Sequence, residues 1–288
     1  MTSLQNKNIL ITGASSGIGK ETAIELAKMG ANVILAGRSS AKHESVISEL
    51  QVIAPQGKFK YIPLELEDLN SVRECARQFL DLNLPLHILI NNAGVYGQKG
   101  ATKQGFEVHF GVNHLGHFLL TLLLLDSLKA SASASTPSRI LNLASGAHRY
   151  ATKWDWKALQ KPTKTMTTMI EYGISKLSNI LFTLELAEQL KNTHVLCFAI
   201  HPGIVKTDIW RHLPGAVQSF MNITPILSPY EGARTTLYCA TDCPASEHGQ
   251  FLTNCKRETP TALGQDHKLA KELWQRSLEW TGLNTTSA

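Results

Sequence analysis

The chain has 288 residues, of which 43% are hydrophobic and 18% charged, as expected for a soluble globular protein with a sizeable core. Its net charge of +5 comes from scattered basic residues, so we expect no nucleic-acid partner. Five widely spaced cysteines argue against a disulfide framework and favour a reducing compartment. No signal-peptide pattern opens the sequence, and the longest strongly apolar stretch, residues 118–125, is too short to span a bilayer. We therefore predict a cytoplasmic protein with no integral membrane segment, attached to a membrane at most peripherally.

Short apolar runs rich in β-branched residues alternate with longer segments of helical periodicity. The predicted strands are 8–12, 32–36, 59–66, 86–90, 139–143, 194–200 and 250–254. The predicted helices are 18–29, 39–53, 69–80, 105–113, 115–128, 172–190, 230–240 and 267–280. Strands that alternate with helices need crossover connections and a parallel sheet covered on both faces. We predict an α/β fold: a single doubly wound Rossmann-type domain over residues 1–288, with a parallel sheet of about seven strands.

A glycine-rich turn follows the first predicted strand and opens directly into a helix. Its spacing, Gly-x-x-x-Gly-x-Gly, is one residue longer than the pattern usually quoted for dinucleotide-binding turns. The glycines let the chain turn sharply and let a pyrophosphate approach the helix N-terminus, where unpaired N–H groups and the helix dipole favour negative charge. The predicted phosphate-binding residues are Gly13, Ser15, Ser16, Gly17, Ile18 and Gly19.

The residues after the second predicted strand indicate which dinucleotide binds. A site for NAD usually ends this strand with a carboxylate that binds the ribose 2′-hydroxyl, but here Gly37, Arg38 and Ser39 follow. Arg38 can pair with a 2′-phosphate through charge-assisted hydrogen bonds, although a solvated loop residue is the alternative interpretation. We predict NADP(H) as the cofactor, with Arg38 and Ser39 at its phosphate.

Tyr172 and Lys176 lie four residues apart, on one face of the predicted helix 172–190. A phenol holds its proton up to a pKa of about 10, and a nearby ammonium group favours the phenolate. Such tuning lets Tyr172 give a proton to a carbonyl oxygen as hydride arrives, or take one from an alcohol. Ser145 follows the fifth predicted strand, at the sheet edge where ligands bind, and its hydroxyl can orient the substrate oxygen.

Taken in order, these motifs resemble the full set of the short-chain dehydrogenase/reductase family, over roughly residues 7–280. They are residues 12–19 and 91–94, Asn113, Ser145, Tyr172, Lys176 and residues 201–207. The resemblance implies that Tyr172 is the acid/base, that Ser145 steadies the carbonyl, and that Lys176 holds the nicotinamide ribose and lowers the Tyr172 pKa. It further implies that Asn113 anchors a proton-relaying water. The other cofactor-binding residues that it implies are Asn92, Ala93, Gly94, Pro202, Gly203, Val205 and Thr207.

The family usually places an Asp against the adenine, and here Glu65 or, with a shifted register, Asp68 takes that position. Residues 112–121 are also similar to the retinol dehydrogenase-like subgroup, which includes the WW-domain oxidoreductase, and this implies a lipophilic or retinoid-like substrate. Residues 203–228 contain apolar side chains and are predicted to form a substrate lid, unless those side chains merely pack on the body.

The predicted function is an NADP(H)-dependent oxidoreductase that interconverts a carbonyl and an alcohol, with a small molecule as substrate. The alternative is a catalytically weak dinucleotide-sensing or interaction protein on the same fold. An enoyl reductase or epimerase is a rival within the enzymes, although Ser145 together with Tyr172 favours carbonyl chemistry. The histidines show no metal-binding spacing, so we predict no metal. A homodimer and a homotetramer both stay open.

Overall fold

The computed structural model describes residues 3–205 and 226–283. Within these ranges eight strands form one sheet in the order β3-β2-β1-β4-β5-β6-β7-β8, and only the β7–β8 pair is antiparallel. The strands are β1 Asn8–Thr12, β2 Asn32–Gly37, β3 Phe59–Pro63, β4 Ile88–Asn91, β5 Ser138–Leu143, β6 Val195–His201, β7 Phe251–Thr253 and β8 Lys256–Arg257. Strand order reverses between β1 and β4, which is where doubly wound sheets open a ligand crevice. The predicted doubly wound Rossmann-type fold is confirmed.

Helices cover both faces of the sheet. They are α1 Gly17–Lys28, α2 Ser40–Ile53, α3 Leu69–Asp81, α4 Val108–Phe110, α5 Gly116–Ser131, α6 Met169–Gln189, α7 Pro229–Thr241 and α8 His267–Thr281. Along β1, Leu10 packs into the core beneath α3, α5, α6 and α8, whereas Ile9 and Ile11 pack into the core beneath α1, α2 and α7. Successive side chains of a strand point to opposite faces, so this strand is apolar throughout because both of its faces are buried.

The helical region after β4 differs from the prediction. Two helices were expected, at 105–113 and 115–128, but the chain runs from α4 through a π-helical turn, Gly111–Leu115, directly into α5. Gly105 lies outside the helix because its backbone has a φ of +85°. A π-helical turn widens the helix and is frequent at functional sites. The turn contains Asn113, one of the predicted site residues.

The eighth strand was not predicted from the sequence. β7 and β8 form a hairpin in which Leu252 pairs with Arg257 and Thr253 with Lys256. The two residues between them, Asn254 and Cys255, have φ angles of +49° and +60°. Positive φ at both central residues is what a tight hairpin turn of type I′ requires. The strand itself is Lys-Arg, which carries no apolar alternation that could have revealed it.

Among the described residues, the helical segment 108–130 is long and apolar enough, by length and composition, to cross a membrane. Its most apolar window has a mean hydropathy of 1.4, and 89% of that window is buried inside the fold, as in the core helix of a globular domain. Most of the predicted lid, residues 206–225, lies outside the described residues. Val205 and Leu227, two described residues of the predicted lid on either side of this range, form an isolated β-bridge.

Candidate active site

A cleft of about 530 Å³ lies at the carboxyl ends of the strands and runs from the glycine-rich turn to Tyr172. Of the predicted site residues, those that line it are Gly13, Ser15, Ser16, Gly17, Ile18, Gly19, Arg38, Ser39, Asn92, Ala93, Gly94, Ser145, Tyr172, Lys176, Pro202, Gly203 and Val205. Asn113 lies behind the cleft wall rather than in it, and Thr207 lies outside the described residues. The structure therefore brings residues from six separate segments of the chain to one cleft.

The glycine-rich turn has the shape that a bound dinucleotide needs. Gly13 has a φ of +70°, and a Cβ there would lie 2.8 Å from the Cα of Ala93; a Cβ at Gly19 would lie 2.4 Å from the carbonyl oxygen of Gly13. Only glycine permits so close a turn. Ser16 begins α1 without a side-chain capping hydrogen bond, and the first turn carries no acidic residue. The N-terminus of α1 thus presents N–H groups to the cleft, and these residues fit an anionic dinucleotide.

The far end of the cleft is formed by α2 and the loop after β3. Arg38 is exposed there, and Ser39 caps α2 by accepting a hydrogen bond from the Lys42 backbone N–H at 3.4 Å. Lys42 and His43 also line the cleft, and neither was predicted as a site residue from the sequence. Lys42 could have been recognised from the sequence, because it lies in the first turn of the helix that follows Arg38. His43 is buried and stacks on a tyrosine of β3, which only the folded chain reveals.

The structure separates the two candidates for the adenine contact. Glu65 lines the cleft, where burial raises the pKa of its carboxyl while the Arg38 charge acts in the opposite direction. Asp68 does not line it. Its carboxylate instead caps α3 by accepting a hydrogen bond from the Asn70 N–H at 2.9 Å and pairs with Lys103 at 2.7 Å. Asp68 therefore serves as the N-cap of α3, and Glu65 is the carboxyl that faces the cleft.

Tyr172 and Lys176 are nearly inaccessible at the other end of the cleft, with 8% and 4% of their surfaces exposed. Burial raises the Tyr172 pKa to about 12, and a hydrogen bond with Ser145 opposes that rise. Burial also lowers the Lys176 pKa to about 8. The Lys176 Nζ donates to the Leu143 carbonyl oxygen at 2.9 Å and lies 5.6 Å from the centre of the Tyr172 ring. Spacing alone predicted a phenol acidified by lysine. Here the group that lowers the Tyr172 pKa is Ser145, burial has the larger effect, and the phenol keeps its proton at pH 7.

Asn113 connects the loop after β4 to the catalytic helix. Its side-chain oxygen accepts from the Val95 N–H at 2.8 Å, and its side-chain nitrogen donates to the Val95 carbonyl and to Ser175 Oγ. Its backbone carbonyl accepts from Asn179 Nδ2 at 3.1 Å and lies 3.0 Å from His117 Nδ1. These contacts give Asn113 a positioning function. A water at this residue stays a prediction.

Further residues around Tyr172 were missed as site residues in the sequence. Tyr96 packs edge-on against Tyr172, with ring centres 4.9 Å apart. Tyr150, Met169 and His201 line the same part of the cleft. Burial lowers the pKa of His201 to about 4, so this ring is neutral at pH 7. Only the nearness of Tyr96 to the motif at 91–94 gave a signal in the sequence, since the others reach the cleft through tertiary packing.

Comparison with known proteins identifies the class to which this fold and cleft belong. Residues 7–156 match the sequence model described as short chain dehydrogenase, and the chain belongs to that family. It is 42% identical to retinol dehydrogenase 12 of Homo sapiens over 283 residues, which span 97% of this chain and 88% of the relative. It is 39% identical to retinol dehydrogenase 13 of Homo sapiens over 293 residues, which span 99% and 87%. The chain is thus an oxidoreductase related to the retinol dehydrogenases, and the predicted family and subgroup are confirmed.

Solved structures show the same fold over most of the chain. A protein of Mycobacterium Paratuberculosis superposes with a TM-score of 0.76 and 31% identity, covering 98% of this chain and 96% of that one. The Pseudomonas aeruginosa RhlG/NADP active-site complex superposes with a TM-score of 0.69 and 27% identity, covering 87% and 95%. This family uses nicotinamide dinucleotides, which agrees with the fit of the glycine-rich turn to an anionic dinucleotide.

Proposed function

We propose that the protein is an NADP(H)-dependent oxidoreductase that interconverts an aldehyde or ketone and an alcohol, with Tyr172 as acid/base. The observation that carries this proposal is a single cleft that joins the open N-terminus of α1 to a buried tyrosine hydrogen-bonded to Ser145. One end of the cleft is suited to hold a dinucleotide. The other end places a neutral phenol and a hydroxyl where a substrate oxygen needs both.

Two basic side chains support the choice of NADP(H) over NAD(H). Arg38 and Lys42 line the end of the cleft that follows β2, where the ribose of the adenosine lies in doubly wound folds. Arg38 offers a planar fork of N–H donors, and Lys42 adds a point charge beside it.

In this reaction Tyr172, Ser145 and Lys176 each have a separate role. The bound nicotinamide supplies or accepts the hydride. Tyr172 keeps its proton at pH 7 because its pKa is about 12, and it donates that proton to the carbonyl oxygen during reduction. Ser145 hydrogen-bonds to the same oxygen and orients it. Lys176, charged below a pH of about 8, stabilises the developing phenolate through its positive charge.

We propose a lipophilic, retinoid-like substrate. The cleft wall beside Tyr172 carries Tyr96, Tyr150 and Met169, which offer aromatic and apolar surface to a hydrocarbon chain. Two relatives of this chain are named retinol dehydrogenase 12 and retinol dehydrogenase 13, and the similarity extends along nearly the whole chain. Both observations favour a long apolar alcohol or aldehyde over a sugar or an amino acid.

A substrate screen with both cofactors tests this function. Purified protein is mixed with NADPH or NADH and with all-trans-retinal, nonanal or, as a polar control, glyceraldehyde, and cofactor consumption is followed by absorbance. We expect turnover of retinal and nonanal, with kcat/KM at least about 10-fold higher for NADPH than for NADH. NADPH binding without consumption of any aldehyde would contradict the proposal and support the dinucleotide-sensing alternative.

We also propose a cytoplasmic location and leave both a homodimer and a homotetramer open. All five cysteines are free, and four of them are buried. Unpaired thiols are typical of a reducing compartment. Fractionation of cells that express a tagged chain tests the location, and light scattering of the purified protein measures the oligomeric state.

A further inference from the structure

A buried histidine–glutamate pair lies directly behind the candidate catalytic tyrosine. His109 is fully buried and Glu107 is 3% exposed. Their side chains meet at 2.8 Å, between His109 Nδ1 and Glu107 Oε1. Since an ionised carboxylate can only accept hydrogen bonds, the imidazole proton is assigned to Nδ1. The same carboxylate also accepts from the Phe110 N–H at 2.9 Å and from Thr163 Oγ1 at 2.5 Å, so its position is fixed from three directions.

The imidazole packs against the two tyrosines at the catalytic end of the cleft. Its ring centre is 6.2 Å from that of Tyr172, with the planes 77° apart, and 6.5 Å from that of Tyr96. Tyr96 in turn contacts Tyr172 edge-on at 4.9 Å. We call His109, Tyr96 and Tyr172 the ring cluster. Lys176 borders the Tyr172 ring, and the ring cluster restricts where that phenol can lie.

His109 keeps an unpaired polar atom in this position. Its second ring nitrogen, Nε2, is buried and has no hydrogen-bond partner among the residues that the structure describes. A buried nitrogen without a partner carries a desolvation penalty that a phenylalanine or leucine would avoid. Unlike an apolar residue, His109 has a ring whose rotation is fixed by the contact between its Nδ1 and Glu107.

A second histidine of the same helical segment shows what a purely structural role looks like. His114 is also fully buried, its Nε2 lies 3.2 Å from Ser277 Oγ, and its side chain interacts with Asn179. Its ring neighbours are Phe110, Phe118 and Phe182 in the hydrophobic core. His109 and His114 thus match in burial, but of the two only His109 contacts the candidate catalytic tyrosine.

We propose that His109, oriented by Glu107, is a positioning residue that holds the Tyr172 phenol in line with the substrate oxygen. The inference rests on the proposed function and deepens it. A general acid must lie within about 2.6–3.2 Å of the atom that it protonates. A misplacement of about 1 Å can lower the rate about 100-fold. Glu107 also binds the segment 159–163, through the Leu159 carbonyl and Thr163, so the pair ties that segment to the catalytic phenol.

Three variants dissect this role in the holoenzyme with NADPH and all-trans-retinal. His109→Asn keeps an N–H for Glu107 but removes the ring edge from Tyr172, and we expect kcat to fall about 10-fold. His109→Phe keeps a ring that Glu107 no longer orients, and we expect kcat to fall about 3-fold. His114→Asn is the matched control, with a similar loss of core packing and an unchanged kcat. The KM for NADPH should change less than about 2-fold in all three, because neither His109 nor His114 lines the cleft.

The solvent deuterium isotope effect on kcat separates positioning from mere destabilisation. A misplaced phenol slows the proton transfer itself, so the isotope effect should rise in both His109 variants. A smaller folded fraction lowers kcat but leaves the isotope effect at its wild-type value. Thermal unfolding of each variant reports that fraction directly. Should His109→Asn not fold, His109→Phe carries the same test.

Equal kcat and equal isotope effects in the His109 variants and in His114→Asn, with an active wild type, would overturn this inference and leave the proposed function standing. A wild type that binds NADPH but reduces no aldehyde would contradict the proposed function, and the positioning role would fall with it. A His109→Phe variant identical to the wild type would show that ring packing alone suffices and would overturn the part assigned to Glu107.

Discussion

The two ends of the cleft recognise their ligands by different physical means. At the nucleotide end, the basic side chains Arg38 and Lys42 are exposed, and water screens their charges. At the catalytic end, Tyr172 and Lys176 are almost completely buried, and burial raises the pKa of Tyr172 to about 12 and lowers the pKa of Lys176 to about 8. Exposed charges select a cofactor by modest differences in affinity. Buried groups set the protonation state on which the reaction depends, so substitutions there should have the larger effects.

The largest effect is expected from removal of the phenolic hydroxyl. Tyr172→Phe should lower kcat by about 10²–10⁴-fold, the range that general acid catalysis contributes. NADPH affinity, measured by fluorescence titration, should stay within about 2-fold of the wild type, because the ring and its packing stay in place. Tyr230→Phe, at an exposed tyrosine on α7, is the control and should be fully active. A Tyr172→Phe variant with normal turnover would contradict the assignment of the acid/base.

A charge reversal at the nucleotide end should have an intermediate effect, confined to one cofactor. Arg38→Asp should raise the Kd for NADPH by about 10- to 100-fold, because a charge-assisted pair becomes a repulsion. The Kd for NADH, which lacks the 2′-phosphate, should change by less than about 3-fold. Lys58→Asp makes the same change of charge on an exposed residue outside the cleft. Equal increases in Kd for NADPH and NADH would contradict the proposed preference for NADP(H).

The buried lysine should make cofactor affinity depend on pH. Lys176 has a lowered pKa of about 8, so it is charged below that pH and loses its charge as the pH rises. If an anionic cofactor binds the charged form better, the Kd for NADPH should rise about 3- to 10-fold between pH 7 and 10. Lys176→Arg, which stays charged throughout, should bind with little dependence on pH. An identical pH dependence in both proteins would assign the titration to another group.

The smallest effect is expected at the second basic residue of the nucleotide end. Lys42→Ala should raise the Kd for NADPH about 2- to 5-fold, as exposed and screened charges usually do. This loss should shrink further at high salt, whereas the effect of Tyr172→Phe should not depend on salt. A loss of NADPH affinity as large as that of Arg38→Asp would show that exposed charges at the nucleotide end contribute more than solvent screening predicts.

The sequence predicted local features better than those that depend on packing. The glycine-rich turn, the strand segments and the spacing of Tyr172 and Lys176 are properties of short segments, and the structure places each of them at the expected position in the fold. The rise in the Tyr172 pKa was not predictable from spacing, because it depends on how deeply α6 is covered. The place of His43 in the cleft was not predicted for the same reason, since its burial depends on a neighbouring strand. The π-helical turn at Asn113 has no signature in composition.

The short hairpin that closes the sheet has a consequence for how copies of this chain meet one another in solution. A free outermost strand presents unpaired N–H and C=O groups to which a foreign chain can add. Here the outermost strand has only two residues, Lys256 and Arg257, and both are exposed and positively charged. A second molecule that approached this edge would find little backbone to pair with and a like charge on its counterpart. The end of the sheet thus discourages edge-to-edge aggregation.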